Sequence, residues 1–231
     1  MLTLITYPGQ FGQSSLSPFC VKAEYLLNMS GQPWQREDTD DPRKAPRGKL
    51  PVLRTPDGLV HDSNGIKTYL ERKGADFDGH LSDADKSTAH ALRRMVEEHM
   101  YFILLLDRWE RPDVWPVIRD TYFKGIPGIL RGLIAGGLRK QVMKGMNTQG
   151  LGRLTWGERM SHVEADLACL TTQLGDKPFL FGDKPASIDA SAATILGAMR
   201  ATPVETPLAK RVGQDAVLSA YIDRAAETMG T

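Results

Sequence analysis

Four consecutive residues, Ser17-Pro18-Phe19-Cys20, carry the chemistry most worth reading in this chain. A serine followed by proline and an apolar-periodic run marks a helix start. A serine oxygen accepts orphan amide hydrogens, and proline's fixed φ suits the first helical position. Such an end exposes unpaired N–H groups and a partial positive charge, so an anion, a thiolate included, is stabilised there. The same residues read as a C-x-x-C redox motif whose first sulfur has become a hydroxyl. They could therefore form a nucleophile-activating site, although the local sequence alone reads far more readily as a plain helix cap. The five histidines and two cysteines have no metal-ligand spacing, and neither a phosphate loop nor a nucleophile elbow is present.

The elements around these residues follow from patterning. Leu2 and Leu4 give a short first strand ended by Tyr7-Pro8-Gly9, and the Gly/Ser/Gln-rich loop from Gly9 to Leu16 lies over the start of the helix. Phe19, Val21, Ala23, Leu26, Leu27 and Met29 supply the helical face, closed by Asn28 to Gly31. Gln32 to Asp38 forms a second strand. Leu50 to Arg54 and Leu59 to His61 pair as a hairpin around the tight-turn signal Thr55-Pro56-Asp57-Gly58. Ser63 reads as the cap of a second helix through Ile66, Tyr69 and Leu70. The order is βαβ and then ββα.

Beyond a linker near residues 74–84, the chain reads as helical. One long pattern runs from Asp85 to about Arg111, with Leu92, Met95, Val96, His99, Phe102, Ile103 and Leu106 near one face, and Pro112 ends it. Ile129 to Met146 holds Gly132, Gly136 and Gly137, which favours a close helix crossing over a ligand site. Thr155 or Trp156 opens another helix, beside whose apolar face Cys169 reads as a small core residue. In Ala186-Ser187-Ile188-Asp189, Asp189 can bond back to free amides at a helix start, a role in folding and not in catalysis.

At 231 residues the length favours two modest domains. A net charge of +1, with Lys and Arg dispersed, suggests neither nucleic acid nor an anionic membrane as partner. Two cysteines exclude a disulfide framework and suit a reducing compartment. The N-terminus lacks the basic region and apolar stretch of a signal peptide, and no apolar run approaches the ~20 residues of a spanning helix. A cytoplasmic location is expected.

Three separated signals resemble the thioredoxin-like N-terminal domain of cytosolic glutathione transferases: the Ser17-Pro18-Phe19-Cys20 helix start, the segment Gly48-Lys49-Leu50-Pro51-Val52-Leu53, and the Asp62-Ser63 step. Within that superfamily the run from Ser15 to Leu27 is similar to the metaxin-like branch, which includes relatives of the failed-axon-connections protein. Glu97-Glu98-His99 to Arg108-Trp109, and Gln149 to Arg153, look like landmarks of the same branch. The resemblance implies an α+β fold, a thioredoxin-like glutathione-binding domain (1–75), a linker (76–84) and an all-helical domain (85–231).

It also implies roles. Glutathione would be the co-substrate. Its thiol, with a pKa of about 8.5 to 9 like a free cysteine, is little ionised at neutral pH. Ser17 would donate a hydrogen bond to the sulfur and favour the thiolate. Tyr7 is the rival hydroxyl, since several transferase classes use a tyrosine at the end of the first strand. Pro51 would be the cis-proline that turns the backbone of Leu50 toward the cysteinyl part, and Lys49 could meet a glutathione carboxylate. Asp62 would accept from the γ-glutamyl ammonium, while Ser63 and the following amides receive its carboxylate. His99, Tyr101, Arg108 and Trp109 are candidates to line the second-substrate site or, alternatively, core packing plus a salt bridge.

The expected activity is attack of the thiolate on a small electrophile by a homodimer that uses no metal, nucleic acid or membrane. The alternatives are a non-catalytic metaxin-like binding module and a glutathione-dependent thiol-disulfide oxidoreductase. With a serine at 17, no mixed disulfide can form there.

Overall fold

The computed structural model describes residues 1–230, the side chains of Lys44 and Ile129 excepted; Thr231, at the end of the expected second domain, lies outside them. Four strands form one sheet in the order β2-β1-β3-β4. Strand β1 (Leu2–Thr6) pairs in parallel with β2 (Trp34–Asp38), through the crossover helix α1 (Pro18–Met29). On its other side β1 pairs antiparallel with β3 (Val52–Thr55), which makes a hairpin with β4 (Gly58–His61). The hairpin turn is closed by Thr55 Oγ1 donating to the Gly58 carbonyl (2.9 Å), as the Pro-Asp-Gly signal required. Helix α2 (Ser63–Arg72) completes the βαβ-ββα unit.

Ser63 is not the cap of α2. Asp62 takes that position, with φ 67°, and its carboxylate accepts from the Asn64 amide, so Ser63 is the first helical residue and is buried. An aspartate caps as well as a serine, so the sequence left the two registers equivalent.

The remaining chain is helical. Helix α3 (Asp83–Met95), a π segment (Val96–Met100) and α4 (Tyr101–Trp109) form the long continuous element expected from periodicity, beginning two residues early because Ser82 caps it. In the π turn the Tyr101 amide donates to the Val96 carbonyl, five residues back, and Val96 and Glu97 are buried side by side. Then follow α5 (Trp115–Tyr122), α6 (Gly128–Gln149), α7 (Trp156–Leu174), α8 (Ser187–Arg200), α9 (Pro207–Gly213) and α10 (Ala216–Met229).

Helix α8 is the central post, buried from Ser187 to Met199. Its start is held as Asp189 implied, the carboxylate accepting from the amides of Leu180 (3.0 Å) and Ala186 (2.8 Å) and from the Tyr221 hydroxyl (2.7 Å). Leu4, Leu26, Leu53, Ile66 and Leu70 of the first part share one core with Val96, Ile103, Leu167, Ile195 and Ile222 of the second.

Two expectations fail in the helical part. A Cβ built on Gly132, Gly136 or Gly137 would meet nothing within 4 Å, so α6 makes no close crossing there; Leu133 and Leu130 beside them are exposed. Cys169 is exposed and not a core residue, because α7 turns it away from the buried row of Val163, Leu167 and Leu170.

Candidate functional site

The N-terminus of α1 is the point where the first part of the chain converges. Ser17 stands at the cap position with extended backbone, and its carbonyl accepts the amides of Cys20 (2.9 Å) and Val21 (3.1 Å). Its hydroxyl makes no capping bond to its own helix but reaches the Cys20 sulfur, and the residue is half-buried. The loop above is tied down by Arg36 of β2, which donates to the carbonyls of Tyr7 (2.8 Å) and Ser14 (2.6 Å) and pairs with the buried Glu24 (2.5 Å). Ser14 also donates to Glu24. The loop before the helix is therefore fixed from the edge strand.

Cys20 is fully buried, packed with Leu50 and Val52 and flanked by Ile5, Tyr7 and Ala45. Burial pushes its thiol up; hydroxyls of Thr6, Ser15 and Ser17 favour its charged form without overcoming that cost. A neutral, enclosed sulfur is a packing group and not a nucleophile. The Tyr7 phenol is likewise pushed up, first by burial and then by the charges of Cys20, Tyr101 and Tyr122. It stays protonated at neutral pH and can serve as a donor but not as a base.

The peptide between Leu50 and Pro51 is cis, the geometry that the resemblance implied, and both residues are buried beside Cys20. Lys49 is exposed one residue earlier. Asp62 lies exposed at the end of β4 and Ser63 is buried at the start of α2. Ser17, Leu50 and Pro51 thus gather around Cys20, and Asp62 with Ser63 forms the adjoining helix start.

Of the candidates on the long helix, three belong to packing. His99 meets Asp166 of α7 (2.5 Å), Trp109 stacks near Trp115 with centroids 5.2 Å apart, and the buried Arg108 donates to the Ala198 carbonyl (2.5 Å) and the Tyr122 hydroxyl (3.0 Å). Tyr101 differs. It packs edge-on against Phe19 of α1, with centroids 4.7 Å apart, and its phenol is pushed up to about 12 by burial and the neighbouring Tyr122. Tyr7, Tyr101 and Tyr122 lie close enough to feel one another's charge, and Arg108 donates to the Tyr122 hydroxyl, so three phenols cluster near Cys20 and Phe19. Phe11, at φ 55°, joins the apolar cluster of Trp109, Trp115 and Ala135 that packs α5 and α6 against α4.

Sequence reasoning passed over a second set of residues. Lys22, one turn into α1 and 1% exposed, bonds Glu97 of the π segment (2.5 Å) and Asn64 of α2 (2.7 Å). Asn64 in turn donates to Glu97 (2.9 Å), as does Ser191 of α8 (2.7 Å). Burial pushes the Glu97 carboxyl up, but the Lys22 charge and these hydrogen bonds outweigh it and hold it below the usual carboxylate range. A lysine set between Val21 and Ala23 on the apolar side of α1 was the available signal.

Comparison with known proteins agrees with this architecture. A family model of the glutathione S-transferase N-terminal domain matches residues 18–114, and one of the glutathione S-transferase C-terminal domain matches residues 163–225. The isoprene-epoxide glutathione S-transferase of Rhodococcus sp. strain AD45 is 34% identical over 205 residues, covering 85% of each chain. Mouse metaxin-1 is 28% identical over 203 residues, covering 82% of this chain and 62% of its own. A glutathione S-transferase of Ceriporiopsis subvermispora, CsGST63524, solved in complex with glutathione, superposes with a TM-score of 0.63 at 18% identity, covering 100% of this chain and 98% of that one.

Proposed function

From the membership of this chain in the glutathione S-transferase superfamily, where it is also similar to metaxins, we propose that it conjugates glutathione to a small electrophile, with Ser17 as the hydroxyl that favours the thiolate. The observation that carries this reading is the Ser17 hydroxyl: half-buried at the start of α1, not spent on capping its own helix, and near enough to the Cys20 sulfur to favour its charged form. A donor so placed, with the partial positive charge of the helix end, lowers the pKa of a guest thiol. One unit corresponds to about 1.4 kcal/mol, within the range of a charge-assisted hydrogen bond.

Glutathione would lie from Ser17 along Leu50 and Pro51 to Asp62 and Ser63, with Lys49 near a carboxylate. The Rhodococcus relative acts on an isoprene epoxide, so a small epoxide is the first electrophile to try. In that reaction the thiolate sulfur forms a bond to an epoxide carbon, the carbon–oxygen bond breaks, and the new alkoxide takes a proton. The phenols of Tyr7 and Tyr101, kept protonated by burial, are the nearest donors to supply it.

The test is retention on immobilised glutathione followed by ultraviolet absorbance of bound thiolate at neutral pH. Ser17→Ala should lose the thiolate signal and Asp62→Ala the retention. A second reading, a non-catalytic binding module, is favoured by the extent of the match to metaxin-1; retention without thiolate in the native protein would select it. Thiol-disulfide exchange is disfavoured, since the one cysteine near the site is enclosed and its thiol pushed up.

A further inference from the structure

Lys22 and Glu97 form an ion pair removed from water, one partner on α1 and the other 75 residues away in the π segment. Such a pair adds little net stability, because desolvating both charges offsets their attraction, and well-packed apolar residues often do as well. What this pair does is specific: it fixes a third side chain. Asn64 Oδ1 accepts from the Lys22 ammonium (2.7 Å) and Asn64 Nδ2 donates to Glu97 Oε2 (2.9 Å), so both ends of the amide are held and only one orientation satisfies them. Glu97 Oε1, already taking Lys22, also accepts from Ser191 (2.7 Å), which anchors the carboxylate to the central post of the fold.

Asn64 then reaches the site through its main chain. Its N–H donates to Asp62 Oδ1 (2.8 Å), fixing one carboxylate oxygen while the other stays available on an exposed side chain. The linkage runs without a gap from Lys22 and Glu97 to the Asn64 amide, to the Asn64 N–H, to the Asp62 carboxylate. Residue 62 holds φ 67° and ψ 142°, a positive-φ conformation outside the left-handed helical well.

We propose that Lys22, Glu97 and Asn64 form a positioning unit for Asp62, setting its carboxylate to receive the γ-glutamyl ammonium of glutathione. The inference rests on the glutathione reading above. It assigns the buried pair to the affinity of the co-substrate and not to the ionisation of its thiol, and it makes the helical part of the chain a contributor to the thioredoxin-like site. The π turn, which buries Val96 and Glu97 in succession, is the local device that brings Glu97 there; wide turns of this kind recur where a helix must present a functional side chain.

The pair can be inverted chemically. In Glu97→Gln an amide N–H₂ faces that of Asn64; in Asn64→Asp a second carboxylate faces Glu97. In the combined N64D/E97Q protein the carboxylate now at position 64 accepts from both Lys22 and the amide now at position 97. The carbonyl of that amide still accepts from Lys22 and Ser191, so every bond is regained with the charge exchanged. Glutathione dissociation constants, measured by titration calorimetry on the full chain beside melting temperatures, should rise about tenfold in each single variant and return to within about threefold of native in the pair.

Asn64→Ala guards against single variants that fail to fold, since it removes both amide bonds while leaving the Lys22–Glu97 pair. It should stay folded with a modestly lowered melting temperature, because Glu97 Oε2 loses its partner. At a temperature where it is fully folded it should bind glutathione about fivefold more weakly and show the loss in KM and not in kcat. Native affinity in Asn64→Ala, or a double variant no better than the single ones, overturns the inference while the glutathione reading stands. A native chain that binds no glutathione overturns both.

Discussion

The starts of α1 and α2 are built in opposite ways. At the α2 end the polar groups engage one another: Asp62 accepts from Asn64, Asn64 spans Lys22 and Glu97, and Ser191 closes the set. At the α1 end Ser17 leaves its hydroxyl out of the helix cap, and the only sulfur nearby is enclosed and neutral. The contrast separates two tasks. An end that must recognise a zwitterion gains from side chains held in place before the guest arrives. An end that must stabilise a charge appearing only on ionisation needs a donor that is not spent on capping its own helix.

Substitutions test that division, the largest effect first. Ser17→Ala should lower the conjugation rate at least about tenfold by raising the thiol pKa about one unit, with unfolding free energy within about 0.5 kcal/mol of native because no cap bond is lost. A large loss of stability with unchanged rate would return Ser17 to a plain cap. Asp62→Ala should weaken glutathione about tenfold, near 1.4 kcal/mol, and also cost about 1 kcal/mol of stability through the lost cap on α2.

Acid should act on the α2 end. The Glu97 carboxyl is held below its ordinary value in the folded chain, so its contribution is complete above an unfolded pKa of about 4.3 and is lost as pH falls through the lower folded value. Denaturation curves between pH 7 and pH 3 should show this loss, with Glu97→Gln removing it. On the roles proposed above, with Ser17 and not Tyr7 on the sulfur, Tyr7→Phe should change the rate less than about threefold. A collapse of the rate there with Ser17→Ala unaffected would exchange the two roles. The smallest effect is on labelling: one equivalent of alkylating reagent should enter the folded chain, at the exposed Cys169, and Cys20 should react only on unfolding.

Much of the α1 end was legible in the sequence, because helix starts, tight turns and strand alternation are local. Ser17-Pro18, the Thr55 to Gly58 turn and the Asp189 brace each show themselves within four residues, and each lies where the spacing put it. The α2 end was legible only in part. Asp62 and Ser63 were visible, but which of them caps depends on the exit angle of β4, and the partners of Lys22 lie 42 and 75 residues away. No period in a sequence encodes such a meeting. Glu97 was visible as a landmark of a branch and had no role until the π turn rotated it inward. The glycines of α6 misled for a related reason: small residues permit close packing without requiring it, and open space lies beside Gly132, Gly136 and Gly137.

Helices α5 and α6 fall in the interval 115–162, between the two family-model matches, and they pack against Trp109 and Phe11. Among the described residues, none of the side chains bonded to Asn64 comes from this stretch, and of the three phenols Tyr122 does. These two helices and the starts of α1 and α2 are thus separately editable. Descent could rewrite α5 and α6 while the Ser17 end and the Asp62 end pass unchanged from one descendant to the next.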